Sequence, residues 1–179
     1  MWSIVSGTVP VQFLLLLLLY YYCTILNLTI SNNPKHSMPW KIRESAINVF
    51  NATHLNLWNN DVEVIENLSK FPNLMRLTLR SNNIRSLHGL NQGRSLRWVD
   101  LSANDITDLH GAENMPCLEW LDLHSNNLKN VAGLNACPRL TFLNMFDSDL
   151  VNLNGIDALY ALRWFNASNN NLKTIAGLE

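Results

Sequence analysis

Three cysteines, Cys23, Cys117 and Cys137, are all the thiol this 179-residue chain contains. An odd count without paired clusters argues against a disulfide framework and fits a reducing compartment. No CxxC or Cys/His spacing is present to hold zinc, so the three read as free thiols packed among apolar neighbours. Charge is scarce as well. Only 15% of residues are charged and the formal net charge is −1, which leaves no basic field for nucleic acid and no acidic one for a basic partner. There is no phosphate-cradling loop, no dinucleotide fingerprint and no zinc-protease motif. Lys and Arg are missing altogether from residues 1–30, so the basic start of a secretory signal is absent.

That stretch is filled by a long apolar run. From Val9 to Ile30 there are 22 residues, FLLLLLLYYYC among them, interrupted by Pro10, Gln12 and Asn27. The densest part, Phe13 to Leu26, has the length of a signal peptide, and the whole run is just long enough to span a bilayer. Lys35, Lys41 and Arg43 follow it, which by the positive-inside rule puts the rest of the chain on the cytosolic side. Residues 1–36 are thus a hydrophobic leader, a membrane anchor with its linker, or the product of a start assigned too far upstream. The expected location is cytoplasmic, with a membrane tether through residues 9–30 as the variant. Sequons at Asn27, Asn51, Asn67 and Asn166 make no case for secretion. With 26 Asn and 21 Ser plus Thr, chance alone supplies about three.

The abundance of asparagine is explained by a repeat. In steps of 22, six copies fall into register without a gap, starting at Ala52, Leu74, Leu96, Leu118, Leu140 and Leu162. Copy two reads LMRLTLRSNNIRSLHGL and copy four LEWLDLHSNNLKNVAGL, on the frame L-x-x-L-x-L-x-x-N-x-I/L-x-x-L-x-G-L. The L-x-L portion alternates with period two, so each copy supplies one short strand with its leucines inward. The ninth-position asparagines, Asn60, Asn82, Asn104, Asn126 and Asn170, follow the strand, where an amide can both donate to and accept from backbone of adjacent turns. Copy five has Ser148 there and is expected to be the least well held turn. Gly89-Leu90, Gly133-Leu134, Gly155-Ile156 and Gly177-Leu178 begin the return path, and Pro72, Pro116 and Pro138 stand just before the next copy.

The spacing and the terminal Gly-Leu pair resemble the intracellular leucine-rich repeat subclass typified by protein phosphatase 1 regulatory subunit 7, which also includes axonemal dynein-assembly and spliceosomal proteins. The resemblance covers residues 52–179. It implies an α/β fold: a right-handed leucine-rich repeat solenoid with a parallel β-sheet on the concave face and short 3-10 or helical turns on the convex one. It also implies a phosphatase catalytic subunit or a ciliary scaffold as the setting, without fixing the partner. Residues 37–51 lie outside the frame. Ser37 as a cap, with Ile42, Ala46, Val49 and Phe50 on one face, predicts a helix covering the first repeat. The sequence stops midway through copy six, so the expectation is that it is a piece of something longer or meets a partner there.

Alternation also assigns the concave face. The third repeat position reads His54, Arg76, Trp98, Trp120, Phe142, Trp164; the fifth reads Asn56, Thr78, Asp100, Asp122, Asn144, Asn166; the seventh reads Trp58, Arg80, Ser102, His124, Phe146, Ser168. Four aromatics at a strand spacing of roughly 4.8 Å predict an outward, stacked strip. Exposed strips of that kind usually mark an interface, though cross-strand stacking also stabilises a sheet unaided. The expected partner-binding set is Trp58, Arg76, Arg80, Trp98, Asp100, Trp120, Asp122, His124, Phe142, Phe146, Asp147 and Trp164, facing a protein. Asp100 and Asp122 share a column, with Asp147 near, and so call for a partner's Lys or Arg to relieve them. A metal lacks a convincing ligand set there. Ser102, His124 and an aspartate can be drawn as a triad, but an open sheet offers no oxyanion donors or enclosing pocket, so neither catalysis nor a cofactor is expected. The competing roles are a structural segment of a larger scaffold, with the strip covered by its own chain, and a membrane-tethered or secreted receptor.

Overall fold

The computed structural model describes residues 26–29, 49–134 and 137–176. Among the described residues seven strands form one parallel sheet in chain order. They are β1 (Leu26–Thr29), β2 (Ala52–Asn56), β3 (Arg76–Thr78), β4 (Trp98–Asp100), β5 (Trp120–Asp122), β6 (Phe142–Asn144) and β7 (Trp164–Asn166). From β2 onward each strand is displaced from the last by 22 residues, which is the repeat period. This is the leucine-rich repeat solenoid that the frame predicts. Short strands suffice because every strand interior to the sheet has a neighbour on each side.

The frame residues make the core. The first position is buried as Ala52, Leu74, Leu96, Leu118 and Leu140, the fourth as Leu55, Leu77, Val99, Leu121 and Leu143, and the sixth as Leu57, Leu79, Leu101, Leu123 and Met145. Each fully buried side chain of this size contributes roughly 1.5–3 kcal/mol, and the columns join in one continuous cluster. The return path runs through three-residue 3-10 turns at Leu68–Lys70, Leu90–Gln92 and Ile156–Ala158. The glycine that precedes such a turn is required twice over. Gly89 has φ 94°, and a Cβ there would lie 2.1 Å from the Ile65 carbonyl oxygen of the previous copy.

The ninth-position ladder is present. Asn82 Nδ2 donates to the carbonyls of Leu79 (2.8 Å), Leu57 (3.0 Å) and Arg80 (3.2 Å), while its Oδ1 accepts from the amide of Val62 at 3.0 Å. Asn104, Asn126 and Asn170 repeat the pattern across their own turns. Asn60 donates to Leu57 and Trp58. Ser148 Oγ is buried and has no hydrogen-bond partner among the described residues, so copy five lacks the side-chain bridge of the other copies.

Two features differ from expectation at the N-terminal end. Leu26–Thr29, at the close of the apolar run, pairs in parallel with β2 as an added strand. Of the predicted cap helix, residues 37–48 lie outside the described residues; its end, Val49–Asn51, is a single 3-10 turn. Phe50 there is 65% exposed rather than turned onto the core. The leader from 1–25, with Cys23, and the Gly177-Leu178 pair also lie outside them. Among the described residues no helix is long and apolar enough to cross a membrane.

Candidate functional site

Register fixes which side chains meet on the concave face. β2 to β7 pair His54 with Arg76, Arg76 with Trp98, Trp98 with Trp120, Trp120 with Phe142 and Phe142 with Trp164. The fourth-position residues that follow this column, Leu55, Leu77, Val99, Leu121 and Leu143, are buried in the core, so the rings point away from it. They stack face to face. Ring centroids are 4.3 Å apart for Trp98–Trp120, 4.7 Å for Trp120–Phe142 and 4.1 Å for Phe142–Trp164, with planes within 11° of parallel. Stacking leaves Trp98, Trp120 and Phe142 half-buried by one another, while Trp164 at the end of the column is 43% exposed. What solvent meets along the ladder is mainly ring edge, with a free face at its end.

The seventh-position column is more scattered. Trp58 is 51% exposed and Phe146 39%, but Arg80, Ser102 and His124 stand between them, so they do not join the ladder. Arg76 and Arg80 are both exposed beside its N-terminal end, and neither forms an ion pair among the described residues.

The fifth-position column is hydrogen-bonded by the chain itself, which supplies donors to both Asp100 and Asp122. Asp100 Oδ1 accepts from the Ser102 amide at 3.0 Å and the Ser102 hydroxyl at 2.6 Å. Asp122 Oδ1 accepts from the His124 amide at 3.0 Å and lies 2.8 Å from His124 Nδ1; its Oδ2 accepts from Asn144 Nδ2 at 3.3 Å. Asp122 is in consequence buried. The same side-chain-to-amide bond, two residues on, is made by Asn56, Asn144 and Asn166. These are Asx turns that bend the chain out of the strand. The turn then passes through positive φ at the eighth position of every copy, from Asn59 at 55° to Asn169 at 56°. Asp147 occupies one of those positions and accepts from Ser125 Oγ at 3.2 Å and from Asn169 Nδ2.

These bonds also separate the groups of the drawn triad. The Ser102 hydroxyl, fully buried, donates to Asp100, and His124 engages Asp122; serine and histidine are not joined as nucleophile and base. Among the described residues no group of three or more His, Cys, Asp or Glu is placed to hold a metal ion. An open groove of about 500 Å³ runs along the flank, lined by residues that include Asn73, Met75, Ser95, Arg97 and Cys117.

Alternation places Asn144 on this face but reveals neither its bond to Asp122 nor the Asx turns. A usable signal was present: five of the six fifth positions are Asn or Asp.

No family model and no curated protein matches the chain. Solved structures do. An internalin of Listeria monocytogenes is 24% identical, with 69% of this chain and 36% of that one covered at a TM-score of 0.63. A leucine-rich repeat protein of Leptospira interrogans is 28% identical, with 70% and 33% covered and a TM-score of 0.63. A TLR13–ssRNA13 complex is 26% identical, with 66% and 19% covered and a TM-score of 0.61. The chain thus matches 36% or less of the length of each of these three neighbours.

Proposed function

We propose that this solenoid is a non-catalytic interaction module that grips a protein partner on its concave face, with the repeats on the cytosolic side. Leucine-rich repeat neighbours support an interaction role, and solenoids present their concave surface for binding. The observation that carries the proposal is the ladder from Trp98 to Trp164, continuous over four strands and still open to solvent at its edges and at Trp164. Tryptophan in such a place is the commonest interface hot spot, each worth about 2 kcal/mol or more. Trp120→Ala combined with Trp164→Ala is expected to weaken partner binding a hundredfold or more while the far-UV circular dichroism stays unchanged. Trp164→Ala alone, which removes only one stack, is the milder control. Full binding by both variants would overturn the proposal. A protein phosphatase catalytic subunit is the first partner to titrate, on the sequence resemblance, and a ciliary scaffold is the other setting that it implies.

One observation favours a structural role instead: the rings already cover much of one another. In that case a further segment shields the strip, and acrylamide fails to quench the ladder tryptophans in the intact protein.

A further inference from the structure

Charge on the concave face is unevenly satisfied. Asp100, Asp122 and Asp147 each accept hydrogen bonds from neighbouring side chains. The guanidinium groups of Arg76 and Arg80, exposed on the same face, form no ion pair among the described residues. Their placement is specific. Arg76 is the register partner of Trp98, the first ring of the ladder. Arg80 lies beside the exposed Trp58, and its carbonyl accepts from the amide of Asn59, the residue after Trp58, at 2.9 Å.

From this we infer that the partner element is a protein segment with a cluster of acidic side chains at one end, held by Arg76 and Arg80, joined to an apolar run that lies along the ring edges toward Trp164. The inference rests on the concave-face proposal and adds to it the chemistry and direction of the partner. A guanidinium prefers a carboxylate, which it can meet with two parallel N–H bonds. Beyond the arginines the ladder extends across three strand gaps, roughly 14 Å at about 4.8 Å each, which about four extended residues would cover at ~3.3 Å per residue.

Single-stranded nucleic acid is the other polyanion with affinity for arginine and aromatic groups, and the face suits it poorly. Base stacking needs free ring faces, and here the faces between the four rings are occupied by neighbouring rings at 4.1–4.7 Å, which leaves only the ends of the ladder for a base. A phosphate backbone laid along the ladder would also run beside Asp100, Asp122 and Asp147.

The test is a selection of random 12-residue peptides displayed on phage against the full chain. Synthetic copies of the recovered peptides, and a 12-nucleotide oligouridylate, are then titrated against wild type, the double variant R76E/R80E and Trp120→Ala/Trp164→Ala. Recovered peptides should carry Asp or Glu beside an apolar run. They should bind R76E/R80E at least tenfold more weakly, lose affinity as salt rises, and regain affinity for that variant when their acidic residues are changed to Lys. Peptides that depend on the tryptophans and bind R76E/R80E unchanged would overturn this inference and leave the concave-face proposal standing. Peptides indifferent to both variants would sink both. Absence of any acidic-apolar enrichment, or tighter binding of oligouridylate through the same arginines, would also overturn the inference.

Discussion

At the scale of single residues, asparagine and aspartate do two jobs that the composition alone blends together. The ninth-position role was legible, because a polar residue at a fixed phase of an apolar repeat must satisfy the backbone that no sheet covers. Asn82, Asn104 and Asn126 do this from buried positions. The fifth-position role was not legible from alternation, which says only that Asp100 and Asp122 face outward; whether a carboxylate there bends back to its own chain depends on the local turn. Ser148 gives the sharpest test. Its hydroxyl has no partner where its counterparts bridge two turns, so Ser148→Asn should stabilise the protein by about 1–2 kcal/mol, seen as a raised urea midpoint; no shift would contradict the ladder's assigned role. Cys137 gives another. Burial pushes its thiol from 9.0 up to about 11, whereas Cys117 is only half-buried. Peptide-resolved alkylation at pH 8 should label Cys117 well before Cys137. Between pH 9 and 11 an unfolded chain ionises at Cys137 and the folded one does not, so stability should fall more steeply with rising pH in wild type than in Cys137→Ala.

Elements show where periodicity succeeds and where it fails. Strands β2 to β7 were legible in number and spacing, since one 22-step frame sets all six at once, though each begins one residue before the L-x-L portion or earlier. β1 was not, because the alternation in LNLT is lost inside a 22-residue apolar run. Of the residues placed on the cap helix's apolar face, Phe50 is exposed in a 3-10 turn, while 37–48 lie outside the described residues. The return turns give a strong prediction. At Gly111, φ is 100° and a new Cβ would fall 2.3 Å from the Leu87 carbonyl oxygen. Gly111→Ala should therefore destabilise by about 3 kcal/mol, measured by denaturant unfolding. In the sheet, Trp120→Ala removes two of the three stacks, each worth roughly 0.5–1.5 kcal/mol. The melt should shift down by the equivalent of about 1–3 kcal/mol, with loss of near-UV circular dichroism.

On the scale of the whole molecule, the repeat determines both the core and the surface. Inward columns merge into one cluster, and the outward columns set a basic start, Arg76 and Arg80, next to an aromatic track whose carboxylates are already satisfied. The direction of that surface was legible from the sequence; the hydrogen bonds to its acids were not, and they are what turns the proposal above toward an acidic partner segment. The most direct test of the central claim is hydroxyl-radical footprinting of the full chain, free and saturated with its protein partner. The free chain should be oxidised at Trp58, Phe146, Trp164 and Tyr160, all exposed. The complex should be protected at Trp58, Phe146 and Trp164 while Tyr160, outside the concave columns, stays reactive. Protection confined to Tyr160, with the concave rings still oxidised, would contradict the account.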